Sequence, residues 1–259
     1  MKATTRARIT ESLSGFDAAA HLERDPISFA HRYEAPEDKE VVALFAALLA
    51  YGRVASIARA VTVACERMGP APSLALMNDD VASAGSRFEG FVHRLTRGED
   101  LSRLWLGIGE TRRRFGSLEA AFLASDVQGA PDYHAALTGL RQAIVTPYAR
   151  ERERQAFEHF LPDPRRGSAC KRFCLFLRWM VRGPDEIDLG LWRGASTSRL
   201  VMPLDTHIHR IGLSLGLTKR RSTDWQTASE ITRSLKVLDP TDPLRFDFAL
   251  THMGIDGDL

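Results

Sequence analysis

Cysteine is scarce in this sequence, long apolar runs are missing and strand-like alternation is absent, and each lack narrows what the chain can be. Three cysteines among 259 residues are too few for a disulfide framework. Cys170 and Cys174 are four apart and would share one helix face. With no further Cys or His at ligand spacing, they and Cys65 read as small core residues, and no metal is expected. No segment approaches the ~20 apolar residues of a membrane-spanning helix, and residues 1–10 carry no apolar core of signal-peptide type. A cytoplasmic location without a membrane partner is the expectation. No repeat of solenoid period occurs, which argues against stacked helical-repeat architectures. Low-complexity sequence is missing too.

What remains is ordinary globular composition: 44% hydrophobic and 26% charged residues, which excludes disordered and fibrous classes. The net charge of +2 hides an asymmetry. Residues 150–221 hold 15 Lys/Arg against 8 Asp/Glu, a balance of +7, whereas the remainder holds 20 against 25, or −5. Concentrated positive charge favours a polyanionic partner, although a solvated basic surface explains charge alone equally well.

Helical periodicity runs through nearly the whole chain. Pro36 followed by Glu37 and Asp38 suits the positive end of a helix. The run from Val41 to Ala50 is apolar on almost every side, so that helix is expected to be central and buried. Gly52 closes it, and a second helix is predicted over 54–68, stopped by Gly69-Pro70. Further helices are predicted over 101–115, 117–123, 132–145, 168–181, 206–215, 224–235 and 243–253. The class is therefore all-α. The longest irregular connector after the first hundred residues, 183–203, separates the two segments that carry the chemistry, and loops of that length in compact domains are often functional.

The first of these segments runs from Leu161 to Met180. A Pro/Gly-broken turn leads into an amphipathic helix with Ser168 as the natural N-cap, which puts Lys171 in the first turn. The helix dipole disfavours an ammonium there, and Arg165, Arg166 and Arg172 add repulsion. Both effects favour the neutral amine, the form needed by a Schiff-base nucleophile. Local sequence alone also allows a lysine that faces solvent or DNA. The second segment, Met202 to Leu217, places Asp205 where a helix N-cap belongs. Capping is also a common structural use of aspartate. His207 and His209 point to different helix faces, which argues against a shared metal.

The stretch Pro203-Leu-Asp-Thr-His-Ile-His-Arg-Ile211 resembles the catalytic-aspartate segment of helix-hairpin-helix DNA glycosylases. Gly167-Ser-Ala-Cys-Lys171 followed by an apolar helix is similar to the second half of their hairpin motif. Arg245-Phe-Asp-Phe-Ala-Leu-Thr-His-Met-Gly254 resembles the helix that helps to form their base pocket. The whole chain also resembles a bacterial family known only as a domain of unknown function. The glycosylase resemblance implies an all-α, two-lobed fold with a central cleft. One lobe would be a helical barrel over 36–181; the other would combine 1–35 with 182–259.

It further implies base-excision repair of double-stranded DNA containing a damaged base, which must be flipped out of the helix before it can be reached. Lys171 would be the nucleophile of a bifunctional glycosylase and AP lyase, and Asp205 would stabilise developing positive charge or take the lysine proton. Arg166, Gly167, Ser168 and Arg172 would hold DNA phosphates, using free N–H groups near Gly167 and Ser168. Asp247, Thr251 and His252 would read the base edge. Phe173, Phe176 and Trp179 are available for stacking but read more readily as core, and Tyr51 or Arg53 would fill the gap left by the extruded base.

Two departures shape this expectation. The hairpin Leu161–Ala169 is longer than the family's Leu-Pro-Gly-Val-Gly, with Ala169 where a glycine belongs. The connector between Lys171 and Asp205 is also long, and in this the layout is closest to archaeal 8-oxoguanine glycosylases. The last helix is followed by no four-cysteine cluster, so neither an iron–sulfur centre nor another cofactor is expected. The implied location is cytoplasmic, on the nucleoid when bound to DNA. A catalytically silent DNA-binding module of the same fold and a helical protein-interaction scaffold are the alternatives. Oligomeric state is left open.

Overall fold

The computed structural model describes residues 3–14, 22–23, 25–148, 158–247 and 250–251. The described residues are helical apart from one two-stranded hairpin and the connecting loops, so the all-α class holds. No described helix is long and apolar enough to cross a membrane. Contacts divide the chain into two units. One holds the described residues of 1–21, 129–133 and 164–259, the other those of 22–128 and 134–163.

The second unit is organised around α3 (Pro36–Leu49), preceded by the short α2 (Ser28–His31). Pro36 opens α3 with Glu37 and Asp38 in its first turn, as the sequence predicts. Every residue from Val41 to Leu49 has no exposed surface. Against it pack α4 (Val54–Met68) and α5 (Pro72–Asn78), while α6 (Val81–Arg87), α8 (Leu118–Leu123) and α9 (His134–Val145) pack with α5 on the long α7 (Gly98–Phe115). Phe45, Phe88 and Trp105 form the aromatic centre, with ring centroids 5.7–6.1 Å apart. Gly107 lets α7 and α9 approach closely: a Cβ there would lie 2.2 Å from the Ile144 carbonyl oxygen.

A hairpin, β1 (Val92–His93) and β2 (Thr96–Arg97), joins α6 to α7. It corrects the expectation that hairpin-flanked strands are absent. Two-residue strands are too short to show a period of two, so the sequence pattern carries no trace of them.

The first unit contains α1 (Ala3–Ser14), α10 (Lys171–Val181), α11 (Thr206–Ser214) and α12 (Trp225–Lys236). The stretch predicted as a helix over 243–253 begins instead as a 3-10 turn at Pro243–Phe246. The division of the chain also differs from the boundary read at 181/182, because α10 belongs with the C-terminal elements. Its last carbonyls accept from the connector: Leu189 and Gly190 N–H groups donate to Trp179 O (2.8 and 3.2 Å), and Trp192 N–H donates to Met180 O (2.8 Å). Helix ends leave such carbonyls without intrahelical partners, so the irregular 183–203 segment finishes α10.

Candidate functional site

Helix α10 begins differently from the sequence expectation. Ser168 does not cap it. The Ser168 Oγ instead accepts from Cys170 N–H at 3.2 Å, a local turn that serine hydroxyls favour outside helices. Cys170 takes the cap position in the left-handed region (φ 47°, ψ 36°), and no side chain caps the helix. Lys171 is therefore the first helical residue.

Helix α11 begins as predicted. Asp205 is its N-cap, in extended backbone, with Oδ1 accepting from Ile208 N–H at 2.8 Å. The other oxygen, Oδ2, accepts from Lys171 Nζ at 2.9 Å. One carboxylate thus closes a helix start and holds the lysine from a second helix start, 34 positions away. Burial works against ionisation of Asp205. The Lys171 ammonium, the Ile208 N–H and His207 together outweigh it and hold the carboxyl below its ordinary range. The expected uncharged amine is not what this contact favours, since a carboxylate at 2.9 Å matches an ammonium.

The other expected site residues are placed as follows. Arg166 is exposed at the end of a 3-10 turn, Pro164–Arg166, and Arg172 is half-buried on α10. The Gly167 N–H is not free to receive a phosphate, because it donates to Pro164 O at 3.1 Å. Its carbonyl accepts from Trp225 N–H at 3.2 Å, and Ser168 bridges to Asp224 in the same short pairing. Asp247 points inward: its Oδ2 accepts from Arg178 Nη1 at 2.7 Å. Thr251 Oγ1 donates to Asp247 O at 2.9 Å, and His252 lies outside the described residues. Phe173, Phe176 and Trp179 are fully buried. His207 is exposed, while His209 Nε2 lies 2.8 Å from Arg220 O. Among the described residues no group of three or more His, Cys, Asp or Glu could hold a metal ion.

Tyr51 is committed elsewhere. Its hydroxyl contacts Thr96 Oγ1 at 2.7 Å and donates to His93 O at 2.8 Å, tying the hairpin to the end of α3. Arg53 is exposed.

Sequence reasoning missed the ion network behind Lys171. Lys171 and Arg178 on α10 and Arg182 at its C-cap recur at i, i+7 and i+11, the spacing that returns to one helical stripe. Every cation on that stripe meets an aspartate. Arg178 pairs with Asp247 and, at 3.4 Å, with Asp188; Arg182 pairs with Asp188 and, at 3.0 Å, with Asp242. Burial raises the titration of Asp188 and Asp247 despite these cations. The spacing of the cations was legible in the sequence. Their partners were not, because they come from irregular segments.

An all-α protein whose lysine and aspartate meet at two helix starts defines a class of site more clearly than a source. Residues 25–256 match the profile of a family described as a protein of unknown function, DUF2400. The match covers well over half of the chain, both Lys171 and Asp205 included, and the chain belongs to this family. Neither the curated proteins nor the solved structures contain a match.

Proposed function

We propose that this protein is a DNA base-excision glycosylase with AP lyase activity, in the two-lobed helix-hairpin-helix layout with a central cleft, acting on an oxidised purine such as 8-oxoguanine in duplex DNA. The observation that carries the reading is the 2.9 Å contact between Lys171 Nζ and Asp205 Oδ2. The sequence resemblance names this same pair, and their meeting supports the glycosylase reading over a protein-interaction scaffold.

The steps follow from the pair. The damaged nucleotide is flipped out at a cost of about a few kcal/mol. Lys171 passes a proton to Asp205 and attacks the sugar C1′, and the C1′–N bond breaks as the base leaves with the bonding electrons. In the alternative role Asp205 leaves the lysine proton to another acceptor, stays ionised and stabilises the positive charge that develops on the sugar. The lone pair of the Lys171 nitrogen, now bonded to C1′, then expels the ring oxygen: the C1′–O4′ bond breaks, O4′ takes up a proton as a hydroxyl, and the protonated C1′=N Schiff base that results is the species from which strand cleavage proceeds. The basic stretch 150–221 supplies the charge for the phosphate backbone.

Borohydride reduction in the presence of an 8-oxoguanine duplex is expected to trap a covalent protein–DNA complex, and Lys171→Gln is expected to abolish it. Trapping that persists in the variant would assign the chemistry to another amine. The remodelled turn at Gly167, whose N–H is already engaged, favours one competing reading, a silent DNA-binding module. That reading predicts salt-sensitive duplex binding with no base release from any lesion in a panel of oligonucleotides.

A further inference from the structure

The unit of residues 22–128 and 134–163 holds a second concentration of positive charge, apart from the Lys171 site and independent of its reading. Across 22–149 the sequence has 14 Lys/Arg against 16 Asp/Glu, so composition predicts a slight acidic excess there. Between one face of α4 and the hairpin lies a cavity of about 420 Å³ that reverses this balance. Arg59, Arg67 and Arg94 line it together with Ser56, Phe91 and His93, and no acidic side chain does so among the described residues.

The three arginines are held in different ways. Arg67 is half-buried and fixed: its Nη1 donates to Glu89 O at 2.7 Å, and its guanidinium lies 6.0 Å from the centre of the Phe91 ring. Arg59 and Arg94 are exposed and form no ion pair with any described residue. Arg94 sits in the hairpin turn with φ 54°, a left-handed backbone that side-chain-bearing residues adopt at a cost and glycine adopts freely. Its side chain lies against the loop before α4, where Gly52 leaves room; a Cβ on Gly52 would come within 3.0 Å of Arg94 Cδ. Strain is thus accepted at the turn, and a glycine is used opposite it, with the result that a guanidinium is added to an already basic cavity.

Like charges brought together without a counter-charge repel one another unless an anion completes the set. Planar guanidinium groups match the tetrahedral oxygens of phosphate by paired N–H donors, and the cavity volume is in the range used for small ligands. We infer that the cavity bounded by Arg59, Arg67 and Arg94 is a phosphate-binding site. The phosphate group belongs either to a free phosphorylated molecule or to a nucleic-acid backbone.

Pyrophosphate and an undamaged DNA duplex distinguish the two sources, and neither depends on lesion chemistry. The full chain is titrated with each, alongside the double variant Arg59→Ala, Arg94→Gly; glycine suits the positive φ at position 94, so the variant removes charge and not backbone order. If a free phosphate is the ligand, pyrophosphate affinity should fall at least tenfold in the variant while duplex binding stays the same. If the backbone is the ligand, the slope of log affinity against log salt for the duplex should shrink by about two, one for each lost phosphate contact. In the unaltered protein, pyrophosphate or the duplex should shift the Nε–H resonances of Arg59, Arg67 and Arg94 and leave in place that of Arg113, which does not line the cavity, a measurement that needs no variant to fold. Unchanged affinities together with unmoved arginine resonances would overturn the proposal. Pyrophosphate and undamaged duplex carry no lesion and none of these readouts requires base release, so a failure of the glycosylase reading is seen separately.

Discussion

Buried charge is used differently in the two units. In the unit around α3, buried ionic groups answer backbone ends first, and where one also pairs with a charge, as Arg141 does with Asp163 at 3.5 Å, it keeps a backbone partner too. Asp38 accepts from Ser73 N–H at the start of α5 (2.7 Å), Asp100 accepts from Arg97 N–H at the start of α7 (2.8 Å), and Arg141 donates to Leu161 O (2.7 Å). In the unit that carries Lys171, buried ionic groups answer each other: Arg178 and Arg182 are matched by Asp188, Asp242 and Asp247 across a continuous set of contacts. A group that serves a backbone N–H can be replaced by a neutral acceptor. A charge matched by another charge cannot be removed without stranding its partner in a medium that solvates it poorly.

This contrast can be broken most forcefully at Arg178, which is 2% exposed. Arg178→Ala takes the arginine from Asp247, leaves Asp188 to Arg182 alone, and is expected to cost about 3–5 kcal/mol in chemical denaturation. Both carboxyls titrate above their ordinary range because they are buried. The folded state therefore holds their protons more tightly than the unfolded chain does, and the stability linked to them is lost as pH rises through the folded titration. The variant's deficit should accordingly widen with rising pH above the usual aspartate range. A deficit under about 1 kcal/mol that is flat in pH would show that the network carries no such demand.

Asp205→Asn tests a mixed case, since asparagine keeps the cap on Ile208 N–H and loses the pairing with Lys171. The pair is partly exposed, with side chains 38% and 21% accessible, so the expected loss is only about 1 kcal/mol. The Asp205 carboxyl titrates below its ordinary range. Its contribution is therefore present above the unfolded pKa and is lost as pH falls through the folded one. Denaturation curves of the two proteins should converge at acid pH; divergence there would contradict the assignment.

In the other unit, Asp38→Asn keeps an acceptor for Ser73 N–H and should cost under about 1 kcal/mol. A loss as large as that of Arg178→Ala would erase the distinction. Smallest of all is Arg113→Ala, which removes an exposed 3.1 Å pair with Glu110 and should change stability by no more than about 0.5 kcal/mol in a thermal melt.

The same contrast explains what could be read from the sequence. Helix α3 announced itself through Pro36, two acidic residues and nine buried apolar ones in a row, because all of its determinants are local. Asp205 at the start of α11 was legible for the same reason. The start of α10 was not, since the chain between Pro164 and Cys170 satisfies itself with a 3-10 turn and a serine turn, and this moves the first helical residue to Lys171. Nor were α5 and α6, which are seven residues each, too short to display two full turns of pattern. The aspartates that face Arg178 and Arg182 lie in segments with no periodicity at all, so only folding brings them into register. Arg94 was hidden likewise, because a left-handed backbone at an arginine has no signature in composition.

The Asp205 side chain is just long enough to reach two partners from opposite oxygens, Ile208 N–H and Lys171 Nζ. Glutamate would add one methylene and release that simultaneous reach: anchored on the amide it would overrun the amine, and anchored on the amine it would abandon the amide. The length of a single carbon therefore couples the ordering of one helix to the placement of a nitrogen on another, and the amine keeps its partner for as long as that first turn stays wound.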